Sequence, residues 1–145
     1  MRERPAIDSH RLWQHGPLLL FENHGDFTLS HAERVTVVYE EVVASEGFLL
    51  LLLDLADSGQ IDPSTRRHLA QWAKTFVERI CIAVVDGSVL LRTTYTLIMA
   101  AARVLSGQAV RTLACRDRAT AYAWLQEQHV ELQSRLANKP VIPVF

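Results

Sequence analysis

The 145-residue sequence is short of several features on which specialised proteins depend: it has two cysteines, six glycines and five prolines, and 15 basic side chains face 16 acidic ones. Each shortage excludes a class. Cys81 and Cys115 are far apart in apolar stretches, with no Cys or His at ligand spacing, so neither a disulfide framework nor a cysteine-bound metal is expected. They read as small buried hydrophobes. A formal charge of −1 provides no broad cationic field for a phosphate backbone, which argues against general nucleic-acid binding. The apolar run Phe48–Leu53 is as long as any, well below the roughly 20 residues of a membrane-spanning helix, so no stable membrane insertion is expected. The first residues, Met1-Arg2-Glu3-Arg4-Pro5, lack the apolar core of a secretory signal, and a cytoplasmic location is the expectation.

Missing motifs narrow the chemistry further. Neither Gly-x-Gly-x-x-Gly nor Gly-x-x-x-x-Gly-Lys occurs, which removes the common phosphate-cradling loops. Gly-x-Ser-x-Gly is also missing, so a hydrolase nucleophile elbow is not expected. His10, His15, His24, His31, His68 and His129 are scattered, with no pair one helical turn apart. No metal site or cofactor follows from them. Asp57-Ser58-Gly59 and Gly87-Ser88 read as turns and caps, and the adjacent Glu40-Glu41 diverge on a helix and form a solvated face.

What remains is one ordinary globular domain over residues 1–145, long enough to bury roughly 70% of its unfolded surface. Residues 1–9 are polar and read as loose. Two short apolar segments, Arg11–Gln14 and Pro17–Glu22, flank His15-Gly16 as an antiparallel hairpin. Ser30 and Glu33 are spaced as a capping box, predicting a helix with His31, Val35, Val38, Tyr39 and Val42 inward, closed by Gly47. The unbroken run from Phe48 to Leu55 predicts a strand covered on both faces, followed by a loop over 57–61. Asp62-Pro63 announces a second helix, with Thr65, Leu69, Trp72, Ala73 and Phe76 on its apolar face. Ile80–Val85 is a further strand, and a long helix runs from about Val89 to Leu105, ended by Gly107. Ala109–Cys115 and an Asp117-capped helix with Ala121, Trp124, Leu125 and Gln128 inward complete the order. The fold class is α/β, a mostly parallel five-stranded sheet with four helices in the order ββαβαβαβα.

Phe48–Leu55 followed by Ile61-Asp62-Pro63, the Ala119–Leu125 segment ending Ala-x-x-Trp-Leu, and the element order resemble the SpoIIAA-like family. These are relatives of the STAS domain of anti-sigma-factor antagonists, which also resemble the CRAL-TRIO lipid-binding fold. The resemblance spans roughly Leu18 to Val130. It implies a regulatory switch in which a serine at the start of the helix after the family's third strand is phosphorylated by a partner kinase. Of the family's Asp-Ser-Ser-Gly, Asp62 and Ser64 match, whereas Pro63 and Thr65 depart from it. Ser64 is therefore the phosphorylation candidate, beside the plainer reading of a helix-start residue.

The long third helix carries the other candidates. Placing Leu90, Thr94, Leu97, Ile98, Ala101 and Leu105 inward leaves Arg92, Tyr95, Thr96, Met99 and Arg103 outward, and aromatic, methionine and arginine side chains are enriched at protein contacts. The alternative is that Tyr95 and Met99 flank a wide core stripe. The all-leucine strand raises a separate question, because crossover helices on one face would leave the other uncovered. The apolar tail Val141–Phe145, a second subunit or an apolar ligand could fill that place, and a different strand order would remove the need. The leading expectation is a non-enzymatic regulatory or scaffolding module that binds a protein partner and forms a homodimer. The alternative is a carrier or sensor of a small apolar ligand, which requires a closed cavity of several hundred Å3.

Overall fold

The computed structural model describes residues 1–137. Six strands form one sheet in sequence order: β1 (Arg2–Ile7), β2 (His10–His15), β3 (Leu18–Phe27), β4 (Leu49–Ile61), β5 (Ile80–Val85) and β6 (Arg111–Cys115). The first three strands pair antiparallel, and β3 to β6 run parallel. Helices α1 (Leu29–Glu46), α2 (Pro63–Phe76) and α3 (Val89–Ser106) are the crossovers, and α4 (Arg118–Leu136) follows the last strand.

Alternation along β4 explains its leucines. Leu49, Leu51, Leu53 and Leu55 belong to the larger core, with Val35 and Tyr39 of α1, Leu69 and Trp72 of α2, and Tyr95 and Ile98 of α3. Leu50 and Leu52 point the other way, into a smaller core with Ala121, Leu125 and Leu132 of α4. Crossovers of one hand between strands taken in order stack their helices on one face. A helix after the last strand has no return to make, so α4 folds back onto the opposite face. The cover predicted to come from the tail, a second subunit or a ligand is α4 over β4 and β5; the tail Val141–Phe145 lies outside the described residues.

Local chemistry sets most boundaries. Asp62 caps α2, with Pro63 at the first helical position, Ser88 caps α3, Asp117 caps α4, and Gly47 and Gly107 end α1 and α3 in the left-handed conformation. Three expectations need correction. Residues 1–9 are not loose, because Arg2–Ile7 adds a sixth, edge strand whose Arg4 reaches Gln14 and Glu41. The cap of α1 is Thr28, paired with His31 in the role expected for Ser30 and Glu33. The loop at 57–61 is strand, because β3 and β4 continue together past a register shift to Phe27 and Ile61.

That extension brings Gly59 against β3. A β-carbon there would stand 2.8 Å from the Asp26 backbone nitrogen and 2.9 Å from the Gly25 carbonyl carbon. Gly59→Ala should therefore cost about 1–3 kcal/mol by forcing the two backbones apart, measurable by urea denaturation. An unchanged midpoint would show that the ribbon can give way.

Candidate partner-binding face

The first turn of α2 is organised by Asp62. Its carboxylate accepts from the Thr65 backbone N–H at 2.8 Å, the Thr65 hydroxyl at 2.7 Å and the Ser64 hydroxyl at 2.8 Å. These bonds hold the Asp62 carboxyl below its ordinary range. Ser64 is half-buried, with its hydroxyl committed to this cap.

Helix α3 does not sit as its periodicity suggested. Thr94, Tyr95, Ile98 and Ala102 face the core, and Tyr95 is only 6% exposed, accepting a 3.4 Å hydrogen bond from the Asn23 side chain. Burial pushes the Tyr95 hydroxyl up to about 12. Met99 is half-buried against the same core. Tyr95 and Met99 thus flank the core, and Arg92 and Arg103 are the exposed members of the candidate set. Arg92, Tyr95, Thr96 and Met99 still share a narrow groove of about 50 Å3 with Thr112 and Ala114 of β6. Arg103 continues that row one turn further along α3.

Thr94 and Ile98 sit inward as expected, whereas Leu90, Leu97, Ala101 and Leu105, also expected inward, lie outside, as does Val104. Leu90 is 71% exposed, Leu97 57% and Val104 83%. Leu97, Ala101 and Leu105 line an open groove of about 190 Å3 shared with Arg66, Arg67, Ala70 and Gln71 of α2. The apolar arc of α3 is wider than its core contact, so hydrophobic spacing alone centres the helix on Leu97 and Leu105 rather than on Tyr95 and Ile98. By length and composition alone, α3 would suffice to cross a membrane. Here its core side is tied to the sheet and the surplus apolar row faces outward.

Two polar networks flank the helix layers. Midway along β3 and β4, register places Glu22 beside Asp54, and Arg118 at the start of α4 binds both, with bonds of 2.9 and 2.7 Å to Asp54. His24 continues the network, bonding to Glu22 at 3.1 Å and Asp57 at 2.9 Å. Burial would raise the Glu22 carboxyl, but the bonds from Arg118 and His24 outweigh it and hold it low. The bonds to Asp57 and Glu22 raise His24 above the ordinary histidine value. Every member is partnered, so this is a clamp between α4 and the sheet. Its residues are too far apart in sequence for any motif to reveal them.

The second network is built on His10, which is fully buried between Phe21 and Phe27. Its Nδ1 accepts from the His24 backbone N–H at 3.0 Å. The proton therefore sits on Nε2, which faces the Asp26 carbonyl at 3.1 Å and His31 Nδ1 at 3.2 Å. His31 Nδ1 also accepts from the Thr28 backbone N–H, and its Nε2 faces Asp8 at 2.7 Å. Burial lowers the affinity of His10 for a second proton. Among the described residues no group of His, Cys, Asp and Glu is arranged to hold a metal.

The two histidines give stability a pH optimum. His10, lowered in the fold, subtracts stability as pH falls below its unfolded value of about 6.5. His24, raised in the fold, contributes fully below about 6.5 and loses that contribution as pH rises through its folded value. Stability should peak near pH 6.5, and His24→Gln should flatten only the alkaline side. Melting midpoints across pH 5–8 check this, and an unaltered alkaline limb in the variant would contradict it.

Comparison with solved structures is decisive for the fold. The anti-sigma factor antagonist SpoIIAA in its unphosphorylated form superposes with a TM-score of 0.59 at 7% identity, over 81% of this chain and 98% of that one. The fold is SpoIIAA-like. An uncharacterised DUF3478-family protein of SpoIIAA-like fold from Shewanella loihica PV-4 superposes with a TM-score of 0.56 at 16% identity, covering 81% of this chain and 92% of that one. No protein-family model and no curated sequence matches the chain. At such identities the SpoIIAA-like likeness fixes architecture, while activity must be argued from the surface.

Proposed function

We propose that this protein is a non-enzymatic regulatory module that works by docking a protein partner on the outer face of α2 and α3. The observation that carries the reading is the exposed row Leu90, Leu97 and Val104, together with Val89 and Leu105, on a helix whose other side is already packed. An apolar patch of that kind on a well-packed domain marks an interaction surface. The likeness to an anti-sigma factor antagonist supports the same class of function. The alternative of a small apolar ligand has less support. The hollow in the larger core, between Trp72, Leu53 and Tyr95, is about 30 Å3, room for roughly two waters rather than a ligand.

Ser64 lies at the start of the same helix layer, where a phosphate would sit at a favourable helix end but beside the Asp62 carboxylate. We place phosphorylation there as a secondary means of control, acting on the α2 side of the docking face.

A photo-crosslinking residue introduced in cells at position 90, 97 or 104, with Val130 on α4 as the exposed control site, tests the docking reading. The expected result is one distinct partner captured from all three α3 positions and not from 130. Capture from 130 alone, or no capture from α3, would refute it.

A further inference from the structure

We infer that the partner element seated on this face is an amphipathic helix whose flanks carry Asp or Glu; the inference rests on the docking reading above. Leu90, Leu97 and Val104 are spaced by seven residues, the repeat of a helix seam, and Thr93, Ala100 and Ala101 between them are small enough to admit side chains from a facing helix. Helical rotation places Arg103 on the β6 side of that row, about 100° round from Val104, with Arg92 further round the helix toward β6. Arg66 and Arg67 stand on its α2 side, across the groove from Leu97 and Ala101. The apolar row is therefore bordered by cations on both flanks.

The charge is one-sided. Neither Pro63–Phe76 nor Val89–Ser106 contains an Asp or Glu, although the whole chain carries a formal charge of −1. Among the described residues, Arg66, Arg67, Arg92 and Arg103 take part in no ion pair, whereas Arg4, Arg11, Arg111 and Arg118 are each bound to carboxylates. Coulomb attraction thus favours a facing element with carboxylates beside its apolar seam.

Competing occupants fit less well. A twofold pairing of two copies through this face would set arginines against arginines, since each copy presents the same patch. An anionic bilayer would suit the cations, but interfacial helices insert a broad apolar face rich in Trp, Phe and Leu. The exposed large apolar residues of α3 are Val89, Leu90, Leu97, Val104 and Leu105, and they include no aromatic. Helix-in-groove recognition matches the geometry, with anchors repeating along one face.

The test uses synthetic peptide helices with leucine at the seam positions and either Glu or Lys on both flanks, together with vesicles of phosphatidylcholine and phosphatidylglycerol. The full-length protein should bind the Glu peptide and neither the Lys peptide nor the vesicles. Raising the salt, the double variant Arg67→Glu/Arg103→Glu, and Leu97→Glu should each weaken binding about tenfold or more. Arg67→Lys/Arg103→Lys should retain it, and melting midpoints of all variants should match the parent. Failure to bind the Glu peptide, equal binding of the Lys peptide, preference for vesicles, or self-association abolished by Leu97→Glu would each overturn the inference. A crosslinked partner retained by the charge-reversed protein would overturn the acidic helix while leaving the docking face intact. Absence of any crosslinked partner would overturn the docking face itself.

Discussion

His10→Ala should lower the unfolding free energy by about 3 kcal/mol, from the cavity left by the ring and from the groups stranded around it. The imidazole is fully buried and bonded at both nitrogens. Its removal would strand the His24 backbone N–H and open a space between Phe21 and Phe27. It would also free His31 from its inner partner while leaving the outer one, Asp8. Urea denaturation at neutral pH reads the loss, and the acid limb of the stability profile should flatten in the same variant. A cost below about 1 kcal/mol, the value of an ordinary hydrogen bond, would mean that the relay is slack.

Arg118→Ala should cost about 2 kcal/mol, a figure kept modest because the guanidinium side chain is 38% exposed and partly screened by water. Glu22 and Asp54 are the more buried members, and removing the arginine leaves two neighbouring carboxylates without their shared counter-charge. Repulsion between them adds to the loss. Replacing all three by apolar residues of similar volume should recover much of the stability, since the pairing must first offset the desolvation of its own charges. The comparison of single and triple variants by denaturation distinguishes a clamp from a passive surface pair. A single variant as stable as the parent would show that packing at Ala121 and Leu125 alone holds α4 down.

Much of this fold is legible in the sequence because its punctuation is local. Asp62-Pro63, Ser88, Asp117, Gly47 and Gly107 each set a helix end through contacts within one turn. The apolar runs at Leu49–Leu55 and Ile80–Val85 are strands buried on both faces. Tertiary context hides the rest. Arg2–Ile7 is a strand because β2 offers it an edge and Gln14 and Glu41 receive Arg4, none of which its polar sequence reveals. Glu22, Asp54 and Arg118 meet only through the parallel register of β3 and β4 and the return of α4.

The candidate face was partly legible. The interface chemistry of α3 was expected at Arg92, Tyr95, Met99 and Arg103, yet Tyr95 is core and the exposed apolar row lies on the other flank. Helix α3 is amphipathic, but its apolar arc is wider than its contact with the core, so spacing alone misplaces the centre of that contact. Packing against α2 and β5 decided the rotation, and the leucines then outside became the surface that needs a partner.

The affinity of the crosslinked partner, purified and titrated calorimetrically against the parent protein and against Leu97→Glu/Val104→Glu, tests the docking face most directly. Both positions are exposed, so the variant should melt with the parent. Binding should weaken about a hundredfold or more, the loss expected when charges are set into the apolar centre of an interface. Undiminished affinity in the folded variant would contradict it.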